Sequence, residues 1–367
     1  MATANIREVA HRAGVSVSTV SNVLNRPLTV APATRQRVLA AIEELGYVRN
    51  DSARQLRAGR SRTIAIVVMD IGNPFFTDVV RGAERAAEER GAMVIVCNSG
   101  DSSERERRHL ELLEEQRVQG ILITPLHDGV APARDGRESP LAQIIERGTP
   151  VVLVDRESGR HNRCSVAVHD VLGGRLAGEH LVEQRHRRIA FVGGPFSIRQ
   201  VAERHRGLSE AVAERGGPGA ELSVFTTDAL TAEAGRTAGE EIAALPAAQR
   251  PTAVFCANDL LALGVLQVMT MHELAVPRDM AIVGYDDIEF AGSAAVPLSS
   301  IRQPRAQLGR AAAQLLLEEI YAGAEHQHRN VVFKPELVVR RSSSEPHRRR
   351  LAGRPGPRQA MGPRTEE

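Results

Sequence analysis

Two hydrophobic rhythms divide this chain. Up to about residue 46 the apolar positions recur every three or four residues, the spacing of helices with one buried face. From Thr63 onward they come in short unbroken runs, as strands covered on both sides require. In the first part Val9, Ala10 and Ala13 form one stripe, Val20, Val23 and Leu24 a second, and Val38, Leu39, Ile42 and Leu45 a third. The punctuation agrees with three helices. Asn5 and Glu8 have capping-box spacing, Gly14 offers a left-handed stop, and Ser16 can cap the next helix with Val15 and Val20 as a hydrophobic staple. The third helix, Pro32 to Leu45, opens on Ala31 and stops at Gly46; proline suits its first turn, but a capping bond worth about 1 kcal/mol is missing.

The second part alternates strands with amphipathic helices. Strands are expected at 64–69, 93–97, 120–124 and 150–155, and again at 188–194, 222–225, 252–259 and 280–287, with intervening helices running to Arg90, Arg117 and Arg147. This repeat predicts two doubly wound lobes of parallel sheet with a cleft between them. Ligands in such folds sit beyond the carboxyl ends of the strands. The polar residues at those ends are Asp70 and Asn73, Asp155 and Arg156, Asn258 and Asp259, and Asp286 and Asp287, with Phe75 and Phe76 following the first pair. Carboxylates that accept hydroxyl protons beside an aromatic plate suit a small polyhydroxylated or heterocyclic ligand. Each Asp or Asn here is also an ordinary turn former or helix cap, Asn258 in particular.

Chemistry of another kind lies on the second helix. Val17, Ser18, Ser21, Asn22 and Asn25 are left facing outward, with Ser16 and Thr19 beside them. Short polar side chains let a helix approach the floor of the DNA major groove, where asparagine reads adenine and hydroxyls pair with several bases. Residues 50–60 follow, a helix-competent segment with too little apolar surface to be stable alone. Charge supports this reading. The whole chain carries a formal net charge of only +2, yet residues 1–60 hold nine arginines against four acids, the footprint of a phosphate-binding module. The charged run 104–117 reads instead as a solvated helix face.

The motif A-G-V-S-V-S-T-V-S-N-V-L-N at 13–25, followed by Asn50, Ala53 and Leu56 in N-x-x-A-x-x-L, resembles bacterial transcription regulators of the LacI family, of the lac/purine-repressor type. The resemblance runs from about Asn5 to about Ser343. It implies that the second helix enters the major groove, with Val17, Ser18 and Asn22 as the principal base readers. It also implies that the hinge segment folds on the operator, Leu56 wedging into the minor groove with Arg57 lining it. Unstacking a base step costs a few kcal/mol and is offset by the larger bent contact surface. The rear half is similar to sugar-binding periplasmic proteins, a fold that crosses between lobes three times. By motif, N-P-F-F at 73–76 is the pocket lip, V-D-R at 154–156 a ligand-contacting strand end, and A-N-D at 257–259 another. Arg204 in R-x-x-G and Asp286 in G-Y-D-D are the residues such proteins use to grip the effector, whereas the family gives no guide to Ile198 or Gln200.

The fold class expected is therefore an N-terminal all-α helix-turn-helix headpiece with a hinge helix, ahead of a two-lobed α/β periplasmic-binding-protein-like sensor. The boundaries are 1–49 for the headpiece, 50–61 for the hinge, 62–343 for the sensor, and 344–367 for a disordered Arg/Pro/Gly tail. Crossings are expected near 166–169, 291–296 and 323–327, so that 62–166 joins 296–323 in one lobe and 167–295 joins 327–343 in the other. The function implied is a repressor, not an enzyme, that binds a pseudo-palindromic operator as a homodimer under control of a sugar-like or nucleoside-like effector. An enzyme on a doubly wound fold is the alternative, but neither G-x-G-x-x-G after the first strand nor a P-loop is present. A transport binding protein would fit the rear half alone. Cys97, Cys164 and Cys256 show no metal-ligand spacing and read as buried thiols in a reducing bacterial cytoplasm, so neither metal nor cofactor is expected. No run reaches membrane-spanning length, and no signal segment precedes the first helix.

Overall fold

A computed structural model describes residues 4–47, 62–100, 102–126, 139–159 and 163–344. The chain separates into two compact units, 1–61 and 62–367. The proposed hinge residues Asn50, Ala53, Leu56 and Arg57 lie outside the described residues, as does the tail from residue 345.

The first unit holds α1 (Ile6–Ala13), α2 (Val17–Asn25) and α3 (Pro32–Glu44). Asn5 and Glu8 form the reciprocal capping box, Gly14 ends α1 at φ 63°, and Ser16 Oγ accepts from Thr19 N at 3.1 Å. Ala31 makes no side-chain cap. Val9, Ala13, Val20, Val23, Val38 and Ala41 form the core. Leu39, expected to face inward, is 49% exposed, because Ala41 completes the stripe of Val38, Ile42 and Leu45 one helical step away.

In the second unit the first sheet contains β1 (Thr63–Val68), β2 (Met93–Asn98), β3 (Ile121–Ile123), β4 (Val151–Val154), β5 (Ser165–Val168) and β11 (Asn330–Phe333). Their order is β2-β1-β3-β4-β5-β11, all parallel. Its alternate residues serve two cores. Ile64, Ile66, Val68, Leu122 and Val152 face α4 (Pro74–Glu88) and α12 (Arg305–Ala322). Ala65, Val67, Ile121, Ile123 and Leu153 face α5 (Ser103–Glu115) and α6 (Pro140–Glu146). That double burial is why the sequence shows continuous apolar runs here rather than alternation.

The second sheet runs β7-β6-β8-β9-β10-β12. It is built from β6 (Arg188–Val192), β7 (Glu221–Phe225), β8 (Ala253–Cys256), β9 (Ala281–Asp286), β10 (Ser299–Arg302) and β12 (Glu336–Val338), the last antiparallel to β10. Around it lie α7 (Asp170–Glu183), α8 (Arg199–Arg215), α9 (Ala232–Ala244), α10 (Asp259–Met271) and the short α11 (Glu289–Ser293). Three crossings join the lobes, at 168–170, 302–305 and 333–336. The first is close to where the sequence put it, and the other two correct it. Residues 299–302 pair with β9 of the second lobe, and 330–333 with β5 of the first, so each switch falls a whole strand later. Among the described residues no helix is long and apolar enough to cross a membrane.

Candidate functional site

In both sheets strand order reverses direction at the first strand of the lobe, β1 lying between β2 and β3 and β6 between β7 and β8. That is where an open α/β sheet leaves a crevice beyond its carboxyl ends. A cleft with about 550 Å³ of empty space, counted out to its open mouth, lies there between the lobes. Asp70, Asn73, Phe75, Phe76 and Asp155 line it from the first lobe, and Arg204, Asn258 and Asp286 from the second. Eight of the nine effector residues read from the sequence thus share one cavity.

Arg204 is at its centre. Its Nε donates to Asp170 Oδ1 at 2.7 Å and one terminal nitrogen to Ala257 O at 2.8 Å, while the guanidinium lies 3.7 Å from the centre of the Tyr285 ring. Asp286 Oδ1 stands 4.0 Å away. Burial opposes the charge on Arg204, but Asp170, Tyr285, Asp286 and Asp155 outweigh it, and its pKa is raised. Three buried acids around one cation would leave a surplus of negative charge if all were ionised. Burial pushes Asp155 and Asp170 up, and Asp286 up to about 6, the pull of Arg204 being too weak to restore them.

The local backbone explains how these groups converge. Asp155 and Asp286 both adopt left-handed conformations (φ 56° and 102°), costly for a residue with a Cβ and concentrated at binding sites. Asp286 then accepts from Gln303 Nε2 at 2.7 Å, whereas its neighbour Asp287 turns away to Arg302 and Arg340 at 2.7 and 2.6 Å. Asp259 is buried beneath them. It accepts from Ser300 Oγ and Ile288 N at 2.7 and 2.8 Å, which holds the 286–288 turn in place. Asn73 and Asn258 line the cleft while capping α4 and α10, accepting from Phe75 N and Leu261 N at 3.0 and 2.9 Å. For these two residues the capping and lining readings are both correct.

Arg156 is the exception. It is buried, its guanidinium donates to Pro125 O at 3.4 Å, and it lines a small side pocket with Asp155, Gln200 and Glu203 rather than the main cleft. Residues missed in the sequence complete the wall, among them Met69, Ile198, Gln200, Val201, Leu230 and Thr231. Gln200 Nε2 crosses the cleft to Asp155 O and Oδ2 at 2.6 and 3.1 Å. It lies in the first turn of α8, beyond the loop that follows β6, so the strand-end argument did not reach it.

In the first unit the outward row of α2 is as expected in part. Ser18, Asn22 and Asn25 are exposed, Thr19 and Ser21 half-buried, and Ser16 hydrogen-bonds the hydroxyls of Ser18 and Thr19 at 2.7 and 2.8 Å. Val17, expected on the outside, is half-buried against the helical core. Asn25 Nδ2 donates to Ser21 O at 2.8 Å.

A helix-turn-helix unit followed by a two-lobed ligand receptor defines a class, the effector-controlled DNA-binding regulator. Residues 5–50 match the family described as bacterial regulatory proteins, lacI family, and residues 179–343 the periplasmic binding protein-like domain. The chain is 34% identical to the HTH-type transcriptional repressor PurR of Aliivibrio fischeri, over 92% of this chain and 98% of that one. It is equally 34% identical to the ribose operon repressor of Escherichia coli, over 93% and 100%. Among solved structures it resembles a lac repressor dimer bound to operator and the anti-inducer ONPF, with a TM-score of 0.78 at 28% identity, covering 93% of this chain and 99% of that one. The chain therefore belongs to the LacI family, and is a DNA-binding transcription regulator controlled by an effector in its periplasmic-binding-protein-like domain. These relatives are repressors rather than enzymes, which removes the enzymatic alternative.

Proposed function

We propose that this protein is a homodimeric repressor of a pseudo-palindromic operator, and that a sugar-like or nucleoside-like molecule in the interlobe cleft sets its affinity for DNA. The observation that carries the effector class is Asp155 Oδ1. It is a buried carboxylate oxygen on the cleft wall, without a hydrogen-bond partner among the described residues, in a ring rich in acceptors. Such a wall calls for a ligand rich in hydroxyl or N–H groups. Phe75 and Phe76, packed edge to face at 5.0 Å, give it an apolar side. A cellobiose complex of the regulator CelR (34% identity, 93% of this chain and 100% of that one, TM-score 0.66) and the similarity to the ribose operon repressor support the same chemistry.

On this reading Ser16, Val17, Ser18, Thr19, Ser21, Asn22 and Asn25 face the major groove, and Asn50, Ala53, Leu56 and Arg57 the minor groove. The half-exposed apolar residues of edge strand β2, Met93 at 62% and Val96 at 40%, suit contact with a second copy. Effector binding changes the angle between lobes, and by reciprocity DNA must change effector affinity by the same factor. The test titrates the full chain onto a symmetric operator and a scrambled duplex at two salt concentrations, with and without ribose, cellobiose or a purine base. Preference for the operator that one of these ligands shifts supports the reading; equal affinity for both duplexes under every condition ends it.

A further inference from the structure

Cys164, Glu319, His326 and His328, far apart in the chain, converge at the end of the first sheet opposite the cleft. Cys164 precedes β5, Glu319 lies in the last turn of α12, and the two histidines occupy the loop leading into β11. Their ligand atoms all lie within 4.8 Å of one another. Cys164 Sγ is 3.1 Å from His326 Nε2 and 3.9 Å from His328 Nδ1, and that same nitrogen is 3.9 Å from Glu319 Oε2. In a tetrahedral site with metal–sulfur bonds of about 2.3 Å and metal–nitrogen bonds of about 2.0 Å, sulfur and nitrogen stand roughly 3.5 Å apart. The observed separations fall on either side of that distance.

We infer that these four side chains form a divalent transition-metal site, zinc being the ion that fits best, in the first lobe. Thiolate and two imidazoles are soft and borderline donors that favour zinc over magnesium or calcium, and the carboxylate closes a four-ligand shell. Thiolate and carboxylate together supply two negative charges to neutralise the ion. The thiol proton is released to solvent as the metal–sulfur bond forms. Two further observations support the site. Glu319 Oε2 is buried with no hydrogen-bond partner among the described residues, and Arg329 N donates toward Cys164 Sγ at 3.5 Å, as amides do around metal thiolates. Arg163 and Arg329, which flank Cys164 and His328, are the cationic neighbours that the two anions must outweigh.

The metal would clamp three separate segments, the start of β5, the end of α12 and the approach to β11. Because the strands are parallel, this is the end at which they begin, opposite the strand ends that line the effector cleft. The site is therefore distinct from the effector cleft.

The experiment uses the full chain without an affinity tag, stripped with a chelator and then loaded with zinc or cobalt. One equivalent per chain should survive gel filtration, and cobalt should give the absorption of a thiolate-bound tetrahedral ion. Loading should raise the thermal midpoint. The double variant His326→Gln/His328→Gln, whose side chains are only half-buried, should bind more than about 100-fold more weakly, since loss of an outer partner alone costs about 10–100-fold. Cys164→Ser should lose the thiolate absorption, whereas Cys97→Ser/Cys256→Ser should keep it. Retention well below one equivalent, or retention unchanged in the histidine double variant, overturns the assignment. Operator binding is not a readout here, so failure of this site and failure of the proposed function remain separable.

Discussion

Asp286 shares a buried ring with Asp155 and Asp170, and loss of hydration, only partly offset by Arg204, pushes its pKa up to about 6 from an ordinary 3.8. The folded chain therefore holds this proton more tightly than the unfolded chain. The stability it contributes is complete below about pH 3.8 and is lost as pH rises through about 6. At roughly 1.4 kcal/mol per pH unit the loss is about 3 kcal/mol. Denaturant titrations of wild type and Asp286→Asn should show the wild-type advantage shrinking by about that amount between pH 4 and pH 7. A difference that stays constant with pH would mean that Asp286 does not titrate in this range. Gln200→Ala should weaken effector binding about tenfold by calorimetry, since its bond to the Asp155 carboxylate is lost, and leave operator binding without effector unchanged. Single residues at strongly marked strand ends were legible from sequence because periodicity located those ends. Gln303 was not, since Ser299–Arg302 is four residues long, three of them polar, and does not read as a strand. Neither was the cluster around Cys164, whose partners lie more than 150 positions away.

Helix α7 meets α8 through glycines on both sides. A β-carbon on Gly174 would stand 1.9 Å from Arg204 O, and one on Gly207 1.9 Å from Val171 O. Backbone on backbone contact at this crossing is what brings Arg204 within 2.7 Å of Asp170. Gly207→Ala should therefore do two things at once. It should cost about 1–3 kcal/mol by overpacking, read as a lower urea midpoint, and it should weaken effector binding by displacing Arg204. A variant with the stability loss and unaltered effector affinity would show that the ring does not depend on the crossing. The same R-x-x-G spacing was visible in the sequence, but as a motif, not as a packing requirement. The long elements were legible because caps and apolar periodicity agree. The four strands left out, β5, β10, β11 and β12, each open on a polar residue (Ser165, Ser299, Asn330 and Glu336), whereas the equally short β3, β4 and β8 are apolar throughout and stand out from loop.

Across the whole receptor, Arg305 ties the lobes together. Standing just past the second crossing, it donates to Asp78 on α4 at 2.9 Å and to the carbonyls of Asp286 and Asp287 at 2.5 Å each. Arg305→Ala should let the unliganded lobes separate, seen as a larger radius of gyration by X-ray scattering and a weaker effector affinity. An unchanged radius would show that the cleft contact between Gln200 and Asp155 suffices. Lobe membership itself was illegible, because only strand pairing reveals that β10 and β11 change places between the sheets. That exchange has a consequence during synthesis. The helical head is complete within the first 47 residues, but neither lobe has all its strands until β11 and β12 emerge, near residue 338. At about 10 residues per second the interval is on the order of half a minute. A ribosome stalled within it would display a finished DNA reader attached to a receptor unable to answer any ligand.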